Sequence, residues 1–266
     1  MPRAVSLPVV SLACFALLVA APAASSVPAT RLFLPAVGTG PGVPPSYWYT
    51  TIWVYNPQDL PVAVEFGFLR RNQSNDPSEV THTIQVDAGE VVQIDDAVTT
   101  LFGIQGFGAI RAVATEAVHI TARIYSKEAG LDERDSTGQA FVAVPEHASI
   151  GVGEAAELIG LTNLQGGDFR YNVGFVETTG HSMWVEVALF ATAGSSWVSR
   201  AFELRPFEQL QMSVDQLFHN AIGESDNFRL RATGWSGEGR FIVFGSRIAN
   251  GSQDTTTFEM MLPPVP

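Results

Sequence analysis

Val62-Ala63-Val64-Glu65-Phe66-Gly67-Phe68 puts Val62, Val64, Phe66 and Phe68 on one side of an extended chain and Ala63, Glu65 and Gly67 on the other. A two-residue period predicts a β-strand with one face turned to a core. Similar short runs follow at residues 80–86, 90–94, 108–114, 118–125 and 139–144, separated by turn residues at 72–77, 87–89 and 103–106. Such spacing predicts an immunoglobulin-like β-sandwich of about seven strands. One segment breaks the pattern: Asp95-Asp96 to Leu101-Phe102 reads as a short helical turn with an Asp as N-cap.

The plan then repeats. Val185, Val187 and Leu189 return the face of Val62, Val64 and Phe66 after 123 residues. Phe169 to Phe175 stands where Trp48 to Val54 stood, and Pro206-Phe207-Glu208-Gln209-Leu210-Gln211-Met212 answers Ala88-Gly89-Glu90-Val91-Val92-Gln93-Ile94. Asp215-Gln216-Leu217-Phe218 answers the helical turn, and Ser246-Arg247-Ile248 answers Ala122-Arg123-Ile124. Five matches in order read as an internal duplication, too short for a solenoid. The expected organisation is a signal peptide over 1–24, a leading segment over 25–46, one sandwich over 47–150 and a second over 151–266. Within the leading segment, Leu32-Phe33-Leu34-Pro35 suits a short strand, and the Gly- and Pro-rich residues 38–45 suit a loop.

The leader has a positive start at Arg3, an apolar run from Ala4 to Ala20, and the small residues Ala21-Pro22-Ala23 before the cleavage point. The run falls short of the roughly 20 residues needed to span a bilayer and ends in small residues and proline, which favours cleavage over anchoring. The one cysteine, Cys14, leaves with it, so the exported chain has no disulfide and depends on burial for stability. A hydrophobic fraction of 46% with 16% charged residues is too apolar for a disordered stalk. The full chain carries a net charge of −12, and removal of Arg3 leaves 14 basic groups against 27 acidic ones. That balance argues against nucleic acid and anionic lipid as partners, since both require clustered Lys and Arg.

The landmarks resemble a family of secreted bacterial tandem β-sandwich proteins. They are the aromatic opening Trp48-Tyr49-Thr50-Thr51-Ile52-Trp53-Val54-Tyr55-Asn56-Pro57, the strand Ala122-Arg123-Ile124-Tyr125 with Gly138-Gln139, the second opening Phe169-Arg170-Tyr171-Asn172-Val173-Gly174, and a closing stretch holding Ser246, Asn250, Ser252 and Asp254. In that ending Ala249 replaces an Asp and Gln253 a Gly, so any cation loop implied by the pattern lacks one carboxylate here. The resemblance implies an exported module, alone or attached to larger secreted proteins, and implies no reaction.

Searching for chemistry yields little. None of His82, His119, His147, His181 and His219 pairs with another His, or with Cys, at zinc spacing. Gly234-Trp235-Ser236-Gly237 approaches a nucleophile elbow, but Glu238 occupies the last glycine position and the segment reads as a hairpin loop. The glycine-rich stretch 103–108 has no β-α unit around it and reads as a turn into a strand. Asp132 and Asp135 in one loop, and Asp254 in its counterpart, are candidate Ca²⁺ ligands, although Arg134 interrupts the first cluster.

Aromatics are the other lead. Tyr47, Tyr49, Trp53 and Tyr55 share one face of an ideal strand. The expectation is that this face is core and that Trp48 alone is exposed. Trp48, Trp53 and Trp235 are the candidate ligand-binding residues. The function expected from all this is a secreted, non-catalytic adhesion or scaffold module with an extracellular protein or glycan as partner. The alternatives are a carbohydrate-binding module using exposed aromatics and, third, an extracellular hydrolase with paired carboxylates.

Overall fold

The structure, a computed structural model, describes residues 27–42, 44–128, 130–163, 167–190, 196–218 and 225–262. The leader, Cys14 and the Pro263-Pro264-Val265-Pro266 end lie outside them, as does His219. The fold is all-β, with antiparallel sheets throughout. No described helix is long and apolar enough to cross a membrane.

The first half runs through β1 (Ala29–Pro41), β2 (Ser46–Tyr55), β3 (Val62–Arg70), β4 (Thr81–Val86), β5 (Val91–Ile94), helix α1 (Ala97–Phe102), β6 (Gly106–Glu128), β7 (Thr137–Val142) and β8 (Val144–Pro145). These strands lie in the order β4-β3-β6-β1-β2-β5, with β7 added on β6 and β8 on β1. The two runs expected at 108–114 and 118–125 are one strand of 23 residues. Its first part pairs with β1 and β3, and from His119 onward it pairs with β2 and β7. A register shift near its middle lets one strand serve both ladders. Between them lies a core that includes Val62, Val64, Phe66 and Phe68, the face read from sequence.

The leading segment differs from its expectation. β1 is central in the sheet, and Gly38 to Pro41 are strand, pairing Gly38 with Phe107 and Gly40 with Trp48. These glycines form a floor for an aromatic ring: a Cβ on Gly38 would stand 2.2 Å from Phe107 Cδ1. Asp96 sits at the N-cap of α1 in a left-handed conformation, φ 43°, with no side-chain cap bond. Its Oδ1 instead accepts from Thr39 Oγ1 at 2.5 Å, tying the helical turn to β1.

The second half contains β9 (Ala155–Asn163), β10 (Phe169–Glu177), β11 (Met183–Phe190), β12 (Ser196–Leu204), β13 (Gln209–Ser213), helix α2 (Val214–Phe218), β14 (Ser225–Gly237), β15 (Phe241–Ala249) and β16 (Thr255–Glu259). Two four-stranded sheets form, β13-β10-β15-β16 and β12-β11-β14-β9. Val185, Val187 and Leu189 are fully buried between them with Val173, Phe175 and Val243. Each such side chain contributes about 1.5–3 kcal/mol by leaving water.

The halves are packed together. Phe141 of β7 meets Phe244 of β15 edge-on at 5.6 Å, and Phe33, Leu69 and Ala109 join the second core cluster. Ser246 Oγ donates to Gln139 Oε1 at 2.9 Å, and Thr257 Oγ1 donates to the Ala140 carbonyl at 2.6 Å. The 72–75 loop binds the turn before β13: Asn72 N donates to the Gln209 carbonyl at 2.7 Å and Asn75 Nδ2 to the Phe207 carbonyl at 2.9 Å.

Candidate functional site

Strand β2 reverses the expectation for its aromatics. Thr50, Ile52 and Val54 are buried, and strand alternation turns Tyr47, Tyr49, Trp53 and Tyr55 to the other face, where Tyr55 is exposed, the other three are half-buried and Thr51 is fully buried. Trp48 points the other way and is half-buried against the second core cluster. The outer row is an ordered ladder. Tyr47 and Tyr49 lie 5.1 Å apart, Tyr49 stacks on Tyr125 at 5.8 Å, and Tyr55 stacks on His119 at 5.9 Å. Lys127 lies over Tyr49 and Arg123 over Tyr125, at 5.3 and 4.8 Å from the ring centres. Burial pushes the Tyr125 phenol pKa up. Trp53 Nε1 donates to Gln93 Oε1 at 2.8 Å, and with Tyr55, His119, Val91 and Val142 it lines an apolar groove of about 500 Å³.

Trp235 is placed by a bulge. In the β11–β14 ladder Trp184 faces Ser236 and Val185 faces Gly234, which leaves Trp235 as the extra residue. It therefore lies in a strand and not in the hairpin loop expected for 234–237. Bulges re-aim side chains, and here Trp235 comes beside Trp184, with ring centres 6.4 Å apart and planes at 87°. The two are 60% and 44% exposed. A loop clamps the bulge from one side: Gly153 N donates to the Gly234 carbonyl at 2.8 Å and Gly234 N to the Glu154 carbonyl at 3.0 Å. A Cβ on Gly234 would meet the Gly151 carbonyl oxygen at 2.1 Å, so the clamp requires glycine. Polar groups border the pair, with Glu203 opposite Trp184 and Glu186 opposite Thr233. The sequence reading missed Trp184. Its signal was the alternation Met183-Trp184-Val185-Glu186-Val187, which sets Trp184 on the polar face.

The carboxylates of Asp132 and Asp254 have local partners. Asp132 pairs with Arg134 across the turn Glu133–Asp135, whose Asp135 N donates to the Asp132 carbonyl at 3.1 Å. Glu133 pairs with Arg123 at 3.2 Å. Asp254 Oδ1 accepts from Thr255 N at 3.0 Å, and its carbonyl accepts from Ala249 N at 2.8 Å. Among the described residues, no three His, Cys, Asp or Glu side chains come together in a group that could hold a metal ion.

Trp48, Trp53 and Trp235 thus belong to three different surfaces. Trp48 lines a cleft between the halves, Trp53 the groove beside Tyr55, and Trp235 the exposed pair. No family model matches the chain, and no curated protein matches it. Among solved structures the chain is similar to the crystal structure of Bacteroides uniformis beta-glucuronidase, at 9% identity and a TM-score of 0.17. That similarity covers 82% of this chain and 26% of the other, so the chain spans about a quarter of that protein's length.

Proposed function

We propose that this chain is an exported, non-catalytic interaction module of two immunoglobulin-like sandwiches derived by duplication, and that it binds carbohydrate through Trp184 and Trp235. The observation that carries the reading is the exposed pair itself. Each indole leaves about half of itself in water and forgoes part of the free energy of burial, yet a bulge and a glycine clamp hold the two together on one sheet face. Ring faces of that kind suit the apolar faces of sugars, and the bordering Glu186, Glu203 and Thr233 offer hydrogen bonds to hydroxyl groups.

Export is supported by the charged start, apolar run and small residues of 1–24. Duplication is supported by two matching turns. Asp87 N donates to Glu90 Oε2 at 2.8 Å, and Arg205 N donates to Glu208 Oε2 at 3.0 Å. The third residue of each turn is left-handed, Gly89 at φ 70° and Phe207 at φ 51°.

The test is retention of the chain, without residues 1–24, on insoluble polysaccharides and on peptidoglycan. Retention on at least one is expected, with its loss in the Trp184→Ala/Trp235→Ala variant and an unchanged melting temperature. Equal retention of that variant, or retention on no matrix, would reject the glycan reading.

A further inference from the structure

Between the two halves lies a cleft of about 200 Å³ whose lining includes Trp48, Phe107, Arg71, Arg170, Asn172 and Thr255. In a chain with 27 acidic and 15 basic residues, no carboxylate among the described residues lines it. Two cationic side chains do, and among the described residues neither Arg71 nor Arg170 forms an ion pair. The rest of the lining is uncharged, with the amides of Gln139 and Gln211 beside apolar Ala36, Ile124 and Ile248.

The arrangement is built from both halves. Gly38 and Gly40 seat the Phe107 ring, and the Arg71 guanidinium lies over that ring at 5.2 Å. The Arg71 backbone is fixed as well, its N donating to the Phe107 carbonyl at 3.1 Å. Arg170 is held from behind by two neutral amides, donating to Asn250 Oδ1 and Gln253 Oε1, each at 2.8 Å. A guanidinium has five N–H donors, so such pinning leaves others for a ligand. Gln139 spends its amide oxygen on Ser246 Oγ. Thr255, only 8% exposed, has a buried Oγ1 with no hydrogen-bond partner. A buried hydroxyl left unpaired costs about 1–3 kcal/mol, and Thr255 is part of the cleft wall. Burial lowers the pKa of both guanidiniums, as it does for a cation held away from water without a counterion.

We propose that this cleft binds a small organic carboxylate carrying a ring, with Arg71 and Arg170 receiving the carboxylate and Trp48, flanked by the edge of Phe107, receiving the ring. The volume fits: it exceeds the roughly 10–15 Å³ of a single water site and falls below the roughly 300–1,000 Å³ of a drug-sized pocket. Net negative charge on the chain discourages non-specific anion binding, and a response that depends on Arg71 and Arg170 reports this site. The inference shares no residue with the Trp184–Trp235 face, and either can fail alone.

The experiment titrates the chain with benzoate, with neutral isosteric benzamide and with inorganic sulfate, following tryptophan fluorescence and melting temperature. Benzoate is expected to saturate and to raise the melting temperature, benzamide to bind at least about tenfold more weakly, and Trp48→Phe to remove the fluorescence change. Arg71→Gln/Arg170→Gln is expected to weaken benzoate at least about tenfold. Asn172→Asp places a resident carboxylate on the lining. It is expected to abolish benzoate binding while keeping or raising the melting temperature, which separates lost binding from lost folding. Sulfate matching benzoate would reduce the site to a plain oxyanion site and overturn the ring requirement. Equal affinity for benzoate and benzamide, unchanged affinity in a folded double arginine variant or in Asn172→Asp, or no saturable response to benzoate would overturn the proposal.

Discussion

Asn56 and Glu177 make the same backbone bond with opposite side-chain chemistry. Asn56 N donates to the Glu90 carbonyl at 3.0 Å and Glu177 N to the Glu208 carbonyl at 2.9 Å, each just after or at the end of an inner strand. Both residues are fully buried. Asn56 Nδ2 then donates to the carbonyls of Leu60, Val86 and Asp87 at 2.9–3.1 Å. The Glu177 carboxylate instead accepts from the backbone N of Thr179, Gly180 and Phe207 at 2.7–2.8 Å. Each knot satisfies the backbone of two loops, one by donating and one by accepting.

Removing either knot leaves partly buried backbone groups without their side-chain partner. Asn56→Ala strips three carbonyls and Glu177→Ala three amides, and each is expected to cost about 2–4 kcal/mol. Chemical denaturation with an unchanged slope would report that loss. Glu177→Gln keeps one acceptor oxygen and should cost less than Glu177→Ala; an equal cost would show that the carboxylate's hydrogen bonds are not what stabilises the loop.

Gly38 and Gly89 need glycine for different reasons. Gly89 has φ 70° and nothing within 4 Å of a Cβ, so Gly89→Ala is expected to cost only about 1 kcal/mol of left-handed strain. Gly38→Ala drives a methyl into Phe107 and should cost about 1–3 kcal/mol. If the cleft takes its shape from that ring, only the second variant should also change Trp48 fluorescence.

Arg123 and Arg247, matched by sequence, have unlike surroundings. Arg123 lies opposite Thr51 and bonds Glu133 and the Ser136 hydroxyl; Arg247 lies opposite Tyr171, 3.8 Å over the Phe169 ring, with its Nε buried and unpaired. Arg123→Met should destabilise by about 0.5–1.5 kcal/mol. Arg247→Met loses a cation–π contact but also the unpaired Nε, and should be close to neutral. Equal melting-temperature losses would contradict the distinction.

Tyr171 is expected to make the fold alkali-sensitive. The ring is 2% exposed, its hydroxyl donates to the Ile159 carbonyl at 3.4 Å, and burial pushes the phenol pKa far up. The unfolded chain gives up this proton near pH 10 while the folded chain keeps it. The stability is therefore full below about pH 10 and declines as pH rises above it. Tyr171→Phe should flatten the decline in melting temperature between pH 9 and 11 while costing little at pH 7.

Strand identity was legible where a local period carried it. Val62 to Phe68 and Val185 to Leu189 declare their buried faces within a few residues, and the turn before Glu90 is visible in Asp87-Ala88-Gly89. Three features were not. The glycines at 38 and 40 read as loop because their reason, the Phe107 ring, lies more than 60 residues away. Trp235 reads as a hairpin loop because a bulge is a property of two strands in register and leaves no mark on one. The outward turn of the tyrosine row follows from which face of β2 met the core, which alternation alone leaves open. By itself the sequence determined that the chain forms β-strands, with turns between them, because period and turn chemistry act between near neighbours. Only the tertiary structure decided which aromatics stay in water and that Arg71 and Arg170 line one cleft, because register, bulges and the packing of the halves arise between residues about a hundred positions apart.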